Sequence, residues 1–269
     1  MITQMKEDLK RVRCYHMASY LEEGIRDGKE NELSNIDFFR RMLDAEISGR
    51  SKLNLKRNMR LANLPCEKNI EKFDFKFQTS ITKKQVNEWL SFEWVDNRQN
   101  LLLLGAPGVG KTHLAIATAL EAIYRGYKVK FFSMNDFIEE MILQEFNQTS
   151  KKWLSYLMKH DLIILDELGY LPVDNKYTHL FFRFVNECYE YRSLIITSNK
   201  LPSQWGQYFG DESVAMAILD RLLHRSTVIK MKGDSYRLKD KLETSINHEN
   251  SNQIKEHSTA QNHKKDNLI

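Results

Sequence analysis

Long apolar runs are missing from this sequence of 269 residues, since none approaches the ~20 residues that a membrane-spanning helix needs. The first residues, Met1 to Asp8, carry charges where a signal peptide would have an apolar stretch, so we expect a cytoplasmic protein. Cysteine is also scarce, and Cys14, Cys66 and Cys188 form no CxxC pair or Cys/His cluster. This spacing favours unpaired thiols in a reducing compartment over a disulfide framework or a metal site.

Acidic residues are absent between Glu46 and Glu67, although the net charge of the whole chain is only +4. A helix would bring the basic residues of this stretch to one side, where they could neutralise the phosphates of duplex DNA. A solvated helix surface has the same composition, and both interpretations stay open. Because no aromatic residues stand among these charges, duplex contacts are better supported than stacking on single strands. The candidate DNA-binding residues are Arg50, Lys52, Lys56, Arg57 and Arg60.

Three regions can be distinguished along the chain. Residues 1–72 are rich in charge and have apolar residues at helical spacing, which predicts a small helical N-terminal domain. Residues 73–242 form the second region, and residues 243–269 are rich in Asn, His, Ser and Lys. The last region cannot bury enough apolar surface to fold, so we predict a disordered tail. The apolar residues with helical spacing are Phe38, Phe39, Met42, Leu43 and Ile47.

The second region alternates short apolar runs with amphipathic stretches. The runs are four to six residues long, as in strands buried on both faces. Helices are predicted at Thr112–Tyr124, Asn135–Phe146 and Tyr177–Glu190. This order indicates an α/β fold with a parallel sheet between two layers of helices. The predicted strands are Leu101–Leu104, Tyr127–Phe132, Leu162–Leu165, Leu194–Thr197 and Thr227–Met231.

A phosphate-binding loop follows the first predicted strand, because the segment from Gly105 to Thr112 fits G-x-x-x-x-G-K-[ST] in full. Its glycines let backbone N–H groups turn toward phosphate oxygens, and the next helix directs its positive end at the same anion. Lys111 would reach the outer phosphates, and the hydroxyl of Thr112 would bind Mg²⁺. The candidate nucleotide site consists of Gly105, Ala106, Pro107, Gly108, Val109, Gly110, Lys111, Thr112 and His113.

Two carboxylates, Asp166 and Glu167, stand at the end of the predicted strand Leu162–Leu165. Ligands bind at the carboxyl ends of strands in open α/β sheets. We therefore expect Asp166 to hold the Mg²⁺ and Glu167 to polarise the attacking water as general base. An Asp-Glu pair that merely opens a loop is the alternative, and the phosphate-binding loop makes it the weaker one.

Three further polar residues are candidates for the hydrolysis site. Asn199 ends the predicted strand Leu194–Thr197, where it could orient the water or contact the γ-phosphate, or simply begin a turn. Arg221 is a candidate to act on the ATP of a neighbouring subunit, and Arg237 on the ATP of its own subunit. From the residues alone, a solvated surface arginine stays the alternative for both.

Several motifs together resemble the IstB-like ATPases, the transposition helper proteins of bacterial insertion sequences. These are related to the DnaC helicase loaders in the DnaA clade of AAA+ proteins. The resemblance covers about residues 35–240, and its most discriminating piece directly follows the acidic pair. The motifs are Gly105–Lys111, Asp166-Glu-Leu-Gly-Tyr-Leu-Pro172, Thr197-Ser-Asn199, Asp220-Arg-Leu-Leu-His-Arg225 and Gly233-Asp-Ser-Tyr-Arg237.

The resemblance implies an AAA+ P-loop NTPase fold and an ATPase that uses ATP and Mg²⁺. It implies a homo-oligomer, in a ring or a helix, on double-stranded DNA, which recruits and stimulates the transposase of the same element. By matching motif positions, Arg221 takes the arginine-finger role, Asn199 the sensor-one role and Arg237 the sensor-two role. Arg225, one helical turn further on, stays an alternative finger. A replicative helicase loader and a nucleotide-gated scaffold with little turnover are the alternative functions.

Overall fold

The computed structural model describes residues 1–170 and 174–239, and it begins with three helices. The third helix is 28 residues long, which corresponds to about 42 Å. The hydroxyl of Ser34 caps its start by accepting the N–H of Asp37 at 3.1 Å, and Asn63 ends it in the left-handed conformation. The helices are α1 (Ile2–Arg11), α2 (Tyr15–Glu30) and α3 (Asn35–Ala62).

The predicted helical N-terminal region is thus present, but its core is small. The buried apolar cluster between these helices consists of Met17, Leu21 and Met42. The apolar spacing correctly predicted a helix, yet Phe39 and Ile47 are 58% and 59% exposed. The reason is that α2 covers only one side of α3, so the neighbouring apolar stripe stays in solvent.

A parallel five-stranded sheet forms the centre of the remaining chain, in the order β2-β3-β4-β1-β5. All five predicted strands are confirmed. Because the strands are parallel, the carboxyl ends of β1, β3 and β4 meet at one edge of the sheet. The strands are β1 (Asn100–Gly105), β2 (Val129–Ser133), β3 (Leu162–Leu168), β4 (Ser193–Ser198) and β5 (Ser226–Met231).

Helices cover both faces of this sheet, as the α/β prediction requires. Leu101 and Leu103 of β1 pack into one apolar layer, and Leu102 and Leu104 pack into the other, since successive residues of a strand alternate. The first layer lies under α6, and the second under α7 to α11. The helices after α3 are α4 (Lys83–Trp89), α5 (Glu93–Asp96), α6 (Lys111–Tyr124), α7 (Met134–Phe146), α8 (Ser150–Leu157), α9 (Asn175–Cys188), α10 (Trp205–Phe209) and α11 (Glu212–His224).

The last turns of α3 lie against the sheet domain. Ala62 is fully buried in the apolar layer under α6, and the amine of Lys130 donates to the carbonyl oxygen of Leu61 at 3.2 Å. One helix therefore joins the small N-terminal core to the sheet domain. The predicted tail, residues 243–269, lies outside the described residues. Within residues 1–170 and 174–239, no helix has the length and apolar character to cross a membrane.

Candidate nucleotide-binding and hydrolysis site

The phosphate-binding loop lies between the end of β1 and the start of α6, as predicted. Gly108 and Gly110 have φ angles of 84° and 99°, which side chains rarely adopt. A Cβ at Gly108 would overlap the side chain of Ser235, and one at Gly110 would press on the ring of Phe73. Glycine is required at both positions, so the backbone N–H groups stay accessible to an anion at the start of α6.

The amine of Lys111 points into this loop. It donates to the carbonyl oxygens of Gly105 at 2.7 Å and Ala106 at 2.8 Å. Burial lowers the pKa of Lys111, and the positive charge of Arg237 adds to this, while the carboxylates of Asp166 and Glu167 oppose it. A buried ammonium group beside free loop N–H groups fits the phosphates of a nucleotide.

Two segments distant in sequence hold the loop from outside. The Nε2 of His113 lies 2.9 Å from the carbonyl oxygen of Asn69, and burial lowers the pKa of His113, so the neutral ring donates there. The side-chain amide of Gln78 donates to the carbonyl oxygen of Val109 at 3.0 Å. After β5, the N–H of Tyr236 donates to the loop as well. These three contacts stabilise the conformation of the phosphate-binding loop.

Thr112 and Asp166 meet at the edge of the sheet. The hydroxyl of Thr112 lies 2.9 and 3.0 Å from the two carboxylate oxygens of Asp166. Burial raises the pKa of Asp166, and the hydroxyls of Thr197 and Thr112, together with the charges of Lys111 and Arg237, only partly oppose this. A hydroxyl beside a carboxylate forms the oxygen donor set that Mg²⁺ prefers, so these side chains fit the ion.

Glu167 is exposed beside this pair, and its backbone has an unusual φ angle of 66°. Its N–H donates to the hydroxyl of Thr197 at 2.9 Å. The same hydroxyl donates to a carboxylate oxygen of Asp166 at 2.5 Å. Within the described residues the carboxylate of Glu167 has no hydrogen-bond or ion-pair partner, and next to Thr112 and Asp166 it is placed where a general base could act on water.

Asn199 follows β4 at the same edge. Its Oδ1 is enclosed and has no hydrogen-bond partner among the described residues. A Cβ at Gly169, the second residue after the acidic pair, would lie 3.4 Å from this oxygen. Asn199 therefore stands beside the chain that leaves Glu167, as a sensor of the nucleotide requires.

Arg237 lies near the phosphate-binding loop, because the N–H of Tyr236 donates to the carbonyl oxygen of Gly108 at 3.0 Å. Its positive charge affects the pKa of both Lys111 and Asp166. The predicted role on the nucleotide of its own subunit is compatible with this placement.

Arg221 and Arg225 lie at the other end of the sheet. They line a small cleft together with Asn100 and Leu194, where β1 and β4 begin. Six residues of β1 separate this end from the phosphate-binding loop, which is about 20 Å. Neither arginine can therefore reach the nucleotide of its own chain.

The two arginines differ in the contacts that their side chains make. The guanidinium of Arg221 donates to Asn186 and to the carbonyl oxygen of Ala217, both at 3.0 Å, and lies over the ring of Phe182. Arg225 is exposed and its side chain has no hydrogen bond or ion pair with the described residues.

All five candidate DNA-binding residues are exposed along α3. Lys52, Lys56, Arg57 and Arg60 make no ion pair within the part of the chain that the structure describes. Arg50 differs, because its guanidinium donates to the buried carboxylate of Glu46 at 2.7 Å. Arg50 therefore stabilises the fold through Glu46, and its contact with DNA stays a prediction.

Sequence reasoning missed three residues of the site. Thr197 was seen only as part of a motif, and Phe73 and Gln78 were not connected with the loop. A polar residue in an otherwise apolar buried strand was an available signal for Thr197. No local signal reveals Phe73 or Gln78, because their contacts join segments more than thirty residues apart.

The family model described as IstB-like ATP binding protein matches residues 7–244. The chain belongs to this family. With its parallel sheet and phosphate-binding loop, this IstB-like protein is an AAA+ P-loop ATPase that binds ATP. The expected family is thereby confirmed.

Curated relatives agree with this family. The IstB-like chain is 39% identical over 246 residues to the insertion sequence IS21 putative ATP-binding protein of Pseudomonas aeruginosa, covering 91% of this chain and 93% of that protein. It is 38% identical over 211 residues to the IS5376 putative ATP-binding protein of Geobacillus stearothermophilus, covering 78% and 84%.

Solved structures show the same fold. DnaI matches with a TM-score of 0.52 and 19% identity, over 62% of this chain and 92% of that one. The replication initiator DnaA bound to AMPPCP and single-stranded DNA also matches with a TM-score of 0.52, at 23% identity, over 68% and 56%.

Proposed function

We propose that this IstB-like ATPase is the ATP-dependent, DNA-binding helper of an insertion-sequence transposase. In this proposal it assembles on duplex DNA as a homo-oligomer in the cytoplasm and recruits and stimulates the transposase of its element. The names of its relatives, which are proteins of insertion sequences, support the link to transposition. The observation that carries the ATP-dependent part is the contact of Thr112 with Asp166 beside the exposed carboxylate of Glu167.

Each residue of the site has a defined task in hydrolysis. Lys111 and the loop N–H groups bind the phosphates. Thr112 and Asp166 would hold Mg²⁺, which would supply positive charge beside the phosphates. Glu167 takes the proton from the attacking water, and Asn199 orients that water or the γ-phosphate.

Replacing Glu167 by Gln tests this assignment. Gln keeps the size of the side chain but cannot accept the proton, so we expect ATP binding to persist and turnover to be lost. The variant should also stay locked on DNA as an oligomer. Glu139→Gln, an exposed change on α7, is the matched control and should turn over ATP normally. Undiminished turnover in Glu167→Gln would remove Glu167 as the base.

The trans-acting arginine follows from the distance between the two ends of the sheet. Because Arg221 and Arg225 lie too far from their own nucleotide, a finger role for either one would have to act on a neighbouring subunit. The side chain of Arg225 is exposed and makes no hydrogen bond or ion pair with the described part of the chain. This supports Arg225 over Arg221, whose guanidinium is held by Asn186. An inserted arginine contributes about 10³–10⁵-fold to turnover in related chemistry.

Mixing two inactive variants tests the trans arrangement. Arg225→Ala keeps an intact nucleotide site but lacks the finger, and Glu167→Gln keeps the finger but lacks the base. If the finger acts across subunits, the mixture should recover part of the turnover that each variant lacks alone. The same mixture with Arg221→Ala compares the two candidates. Absence of recovery with both arginines would contradict the trans role.

Duplex DNA is proposed to bind along α3. Lys52, Lys56 and Arg60 stand four residues apart, so they share one side of the helix, and Arg57 lies beside them. Their ammonium and guanidinium groups are exposed and would neutralise phosphates without reading sequence. Arg50 would contribute only with the part of its side chain that Glu46 leaves in solvent.

Charge reversal tests this surface. In Lys56→Glu/Arg57→Glu, duplex affinity should fall by about tenfold or more at low salt, and the salt dependence should become less steep by about 0.9 per lost phosphate contact. Lys83→Glu/Lys84→Glu changes the same number of exposed charges on α4 and should bind normally. Fluorescence anisotropy across a salt titration measures both. Equal affinities would exclude α3, and a preference for single strands would favour a helicase loader.

A further inference from the structure

The hydroxyl of Thr197 makes two hydrogen bonds in a fully buried position. It donates its proton to the carboxylate of Asp166 at 2.5 Å, and it accepts the backbone N–H of Glu167 at 2.9 Å. One side chain of β4 thus joins both acidic residues of the neighbouring strand. A hydroxyl is the smallest group that can donate and accept at the same time.

The backbone of β3 is irregular at this point. The regular pairing of β3 with β4 is interrupted between Leu165 and Leu168, so Asp166 and Glu167 together face the single residue Thr197. The backbone of Glu167 has a φ of 66°, in the left-handed region that favours glycine. Bulges of this kind re-aim a side chain and often lie beside active sites.

The N–H of Glu167 would have no partner in this bulge without Thr197. This hydrogen bond is partly shielded from solvent, so the hydroxyl of Thr197 stabilises the unusual backbone angle of Glu167. The direction of the Glu167 side chain depends on that angle. Removal of the hydroxyl would therefore let the carboxylate of Glu167 turn away, while the contacts of Lys111, Gln78 and Tyr236 with the phosphate-binding loop would stay.

We propose that Thr197 is a positioning residue. It orients the carboxylate of Glu167 toward the water that attacks the γ-phosphate. This inference rests on the proposed role of Glu167 as general base. Thr197 touches neither the nucleotide nor the water in this scheme, and it acts through the backbone of Glu167. The motif Thr197-Ser-Asn199 does not by itself indicate that Thr197 makes hydrogen bonds with Asp166 and Glu167 of β3.

Two substitutions separate the hydroxyl from the shape of the side chain. Thr197→Val keeps the branched form and removes the hydroxyl, and Thr197→Ser keeps the hydroxyl. We expect kcat to fall about 10- to 100-fold in the Val variant, the range for one hydrogen bond in a charged site. Affinity for a fluorescent ATP analogue should change by less than about threefold, because the loop binds the phosphates. The Ser variant should keep most of the wild-type kcat.

Thr178→Val is the matched control. The hydroxyl of Thr178 is equally buried and donates to the carbonyl oxygen of Phe209 at 2.8 Å, away from the acidic pair. Its loss should lower thermal stability to a similar extent and leave kcat unchanged. If Thr197→Val does not fold, Thr197→Ala in the same assays takes its place.

A double-mutant cycle distinguishes this inference from the role of Glu167 itself. Thr197→Val is placed in the Glu167→Gln background, and the residual turnover is measured over long incubations. If Thr197 acts through Glu167, the second change should lower that turnover by less than about twofold, since residues that act as a unit are not additive. Undiminished turnover in Glu167→Gln alone would overturn the general base, and the inference about Thr197 would fall with it.

Three results would overturn the positioning role while Glu167 keeps its own. They are a normal kcat in Thr197→Val, an equal loss in Thr197→Val and Thr197→Ser, and an undiminished loss in the Glu167→Gln background. The last result would mean that the hydroxyl acts through Asp166 alone.

Discussion

Two buried carboxylates, one in each region of the molecule, are held in opposite ways. Glu46 of α3 accepts the backbone N–H groups of His16 and Met17 and the guanidinium of Arg50. Burial alone would raise the pKa of Glu46, but these donors outweigh it, and the pKa is lowered. Asp166 receives mainly hydroxyl donors, and burial keeps its pKa raised.

The difference agrees with a structural role for Glu46 and with the proposed role of Asp166 as a ligand of a cation. Glu46 is satisfied by the protein and joins α2 to α3, so its negative charge stabilises the fold. The negative charge of Asp166 is incompletely compensated, which disfavours the ionised form until a cation binds. A divalent ion would supply the missing compensation, so we expect the ion to stabilise this site.

Neutralising the two carboxylates should therefore have opposite consequences, and the larger effect belongs to Asp166. In Asp166→Asn, we expect Mg²⁺-dependent turnover to fall more than about 100-fold, beyond the range typical of residues that only support a metal ligand. Thermal stability without nucleotide should rise, since an amide avoids the desolvated charge. Circular dichroism melting with and without Mg²⁺-ATP measures the second effect.

Asp161→Asn is the control on the same strand. Asp161 precedes β3 at its other end, where it accepts the N–H of Lys128 at 2.9 Å. Turnover should be normal in this variant, and stability should fall slightly. If Asp166→Asn were strongly destabilised without nucleotide, its carboxylate would be structural and the comparison with Glu46 would fail.

Glu46→Gln should give the reverse pattern. Loss of the charged acceptor should destabilise the packing of α2 on α3 by about 1.5–3 kcal/mol, the contribution of hydrogen bonds to charged groups. ATP affinity and turnover should stay close to wild type. Hydrogen exchange of the amides of α2 measures the local effect. Asp44→Asn, in an exposed pair with Arg40, should cost less than about 1 kcal/mol, and equal effects in both would contradict the structural role of Glu46.

Close packing of α2 on α3 gives a third, smaller test. A Cβ at Gly49 would overlap the imidazole of His16, so Gly49→Ala should destabilise this region by about 1–3 kcal/mol despite the helix propensity of Ala. Gly28→Ala is the control, because its Cβ would lie 3.3 Å from the ring of Phe38. That variant should be neutral or slightly more stable by chemical denaturation. A stabilising Gly49→Ala would show that the two helices are loosely packed.

The smallest expected effect is a pH dependence that arises in the sheet domain. Burial lowers the pKa of His160 from the ordinary value of 6.5, so the folded state favours the neutral ring. The unfolded chain takes up the proton first as the pH falls, and stability is therefore full above about 6.5 and declines below it. Melting midpoints between pH 7.5 and 5.5 should show this decline, and it should be smaller in His160→Gln. An unchanged slope would exclude His160 as a contributor, while His113 acts in the same direction.

Much of the sheet domain followed from local patterns. The five apolar runs became the five strands, and the glycine-rich loop and the acidic pair meet because parallel strands end at one edge. The helix containing Phe39 and Ile47 was also predicted, but its exposed apolar side was not. Burial depends on which neighbour covers a helix, and no periodicity in α3 tells that α2 lies on one side only.

The sequence by itself determined the family, the five strands and the candidate residues for a triphosphate, because these depend on spacing along the chain. Only the tertiary structure decided that Thr197 supports Glu167, that Arg50 is tied to Glu46 and that Arg221 and Arg225 stand far from their own phosphate-binding loop. Hydrogen bonds between segments and the distance between the ends of a sheet arise when the strands assemble, so no local motif contains them.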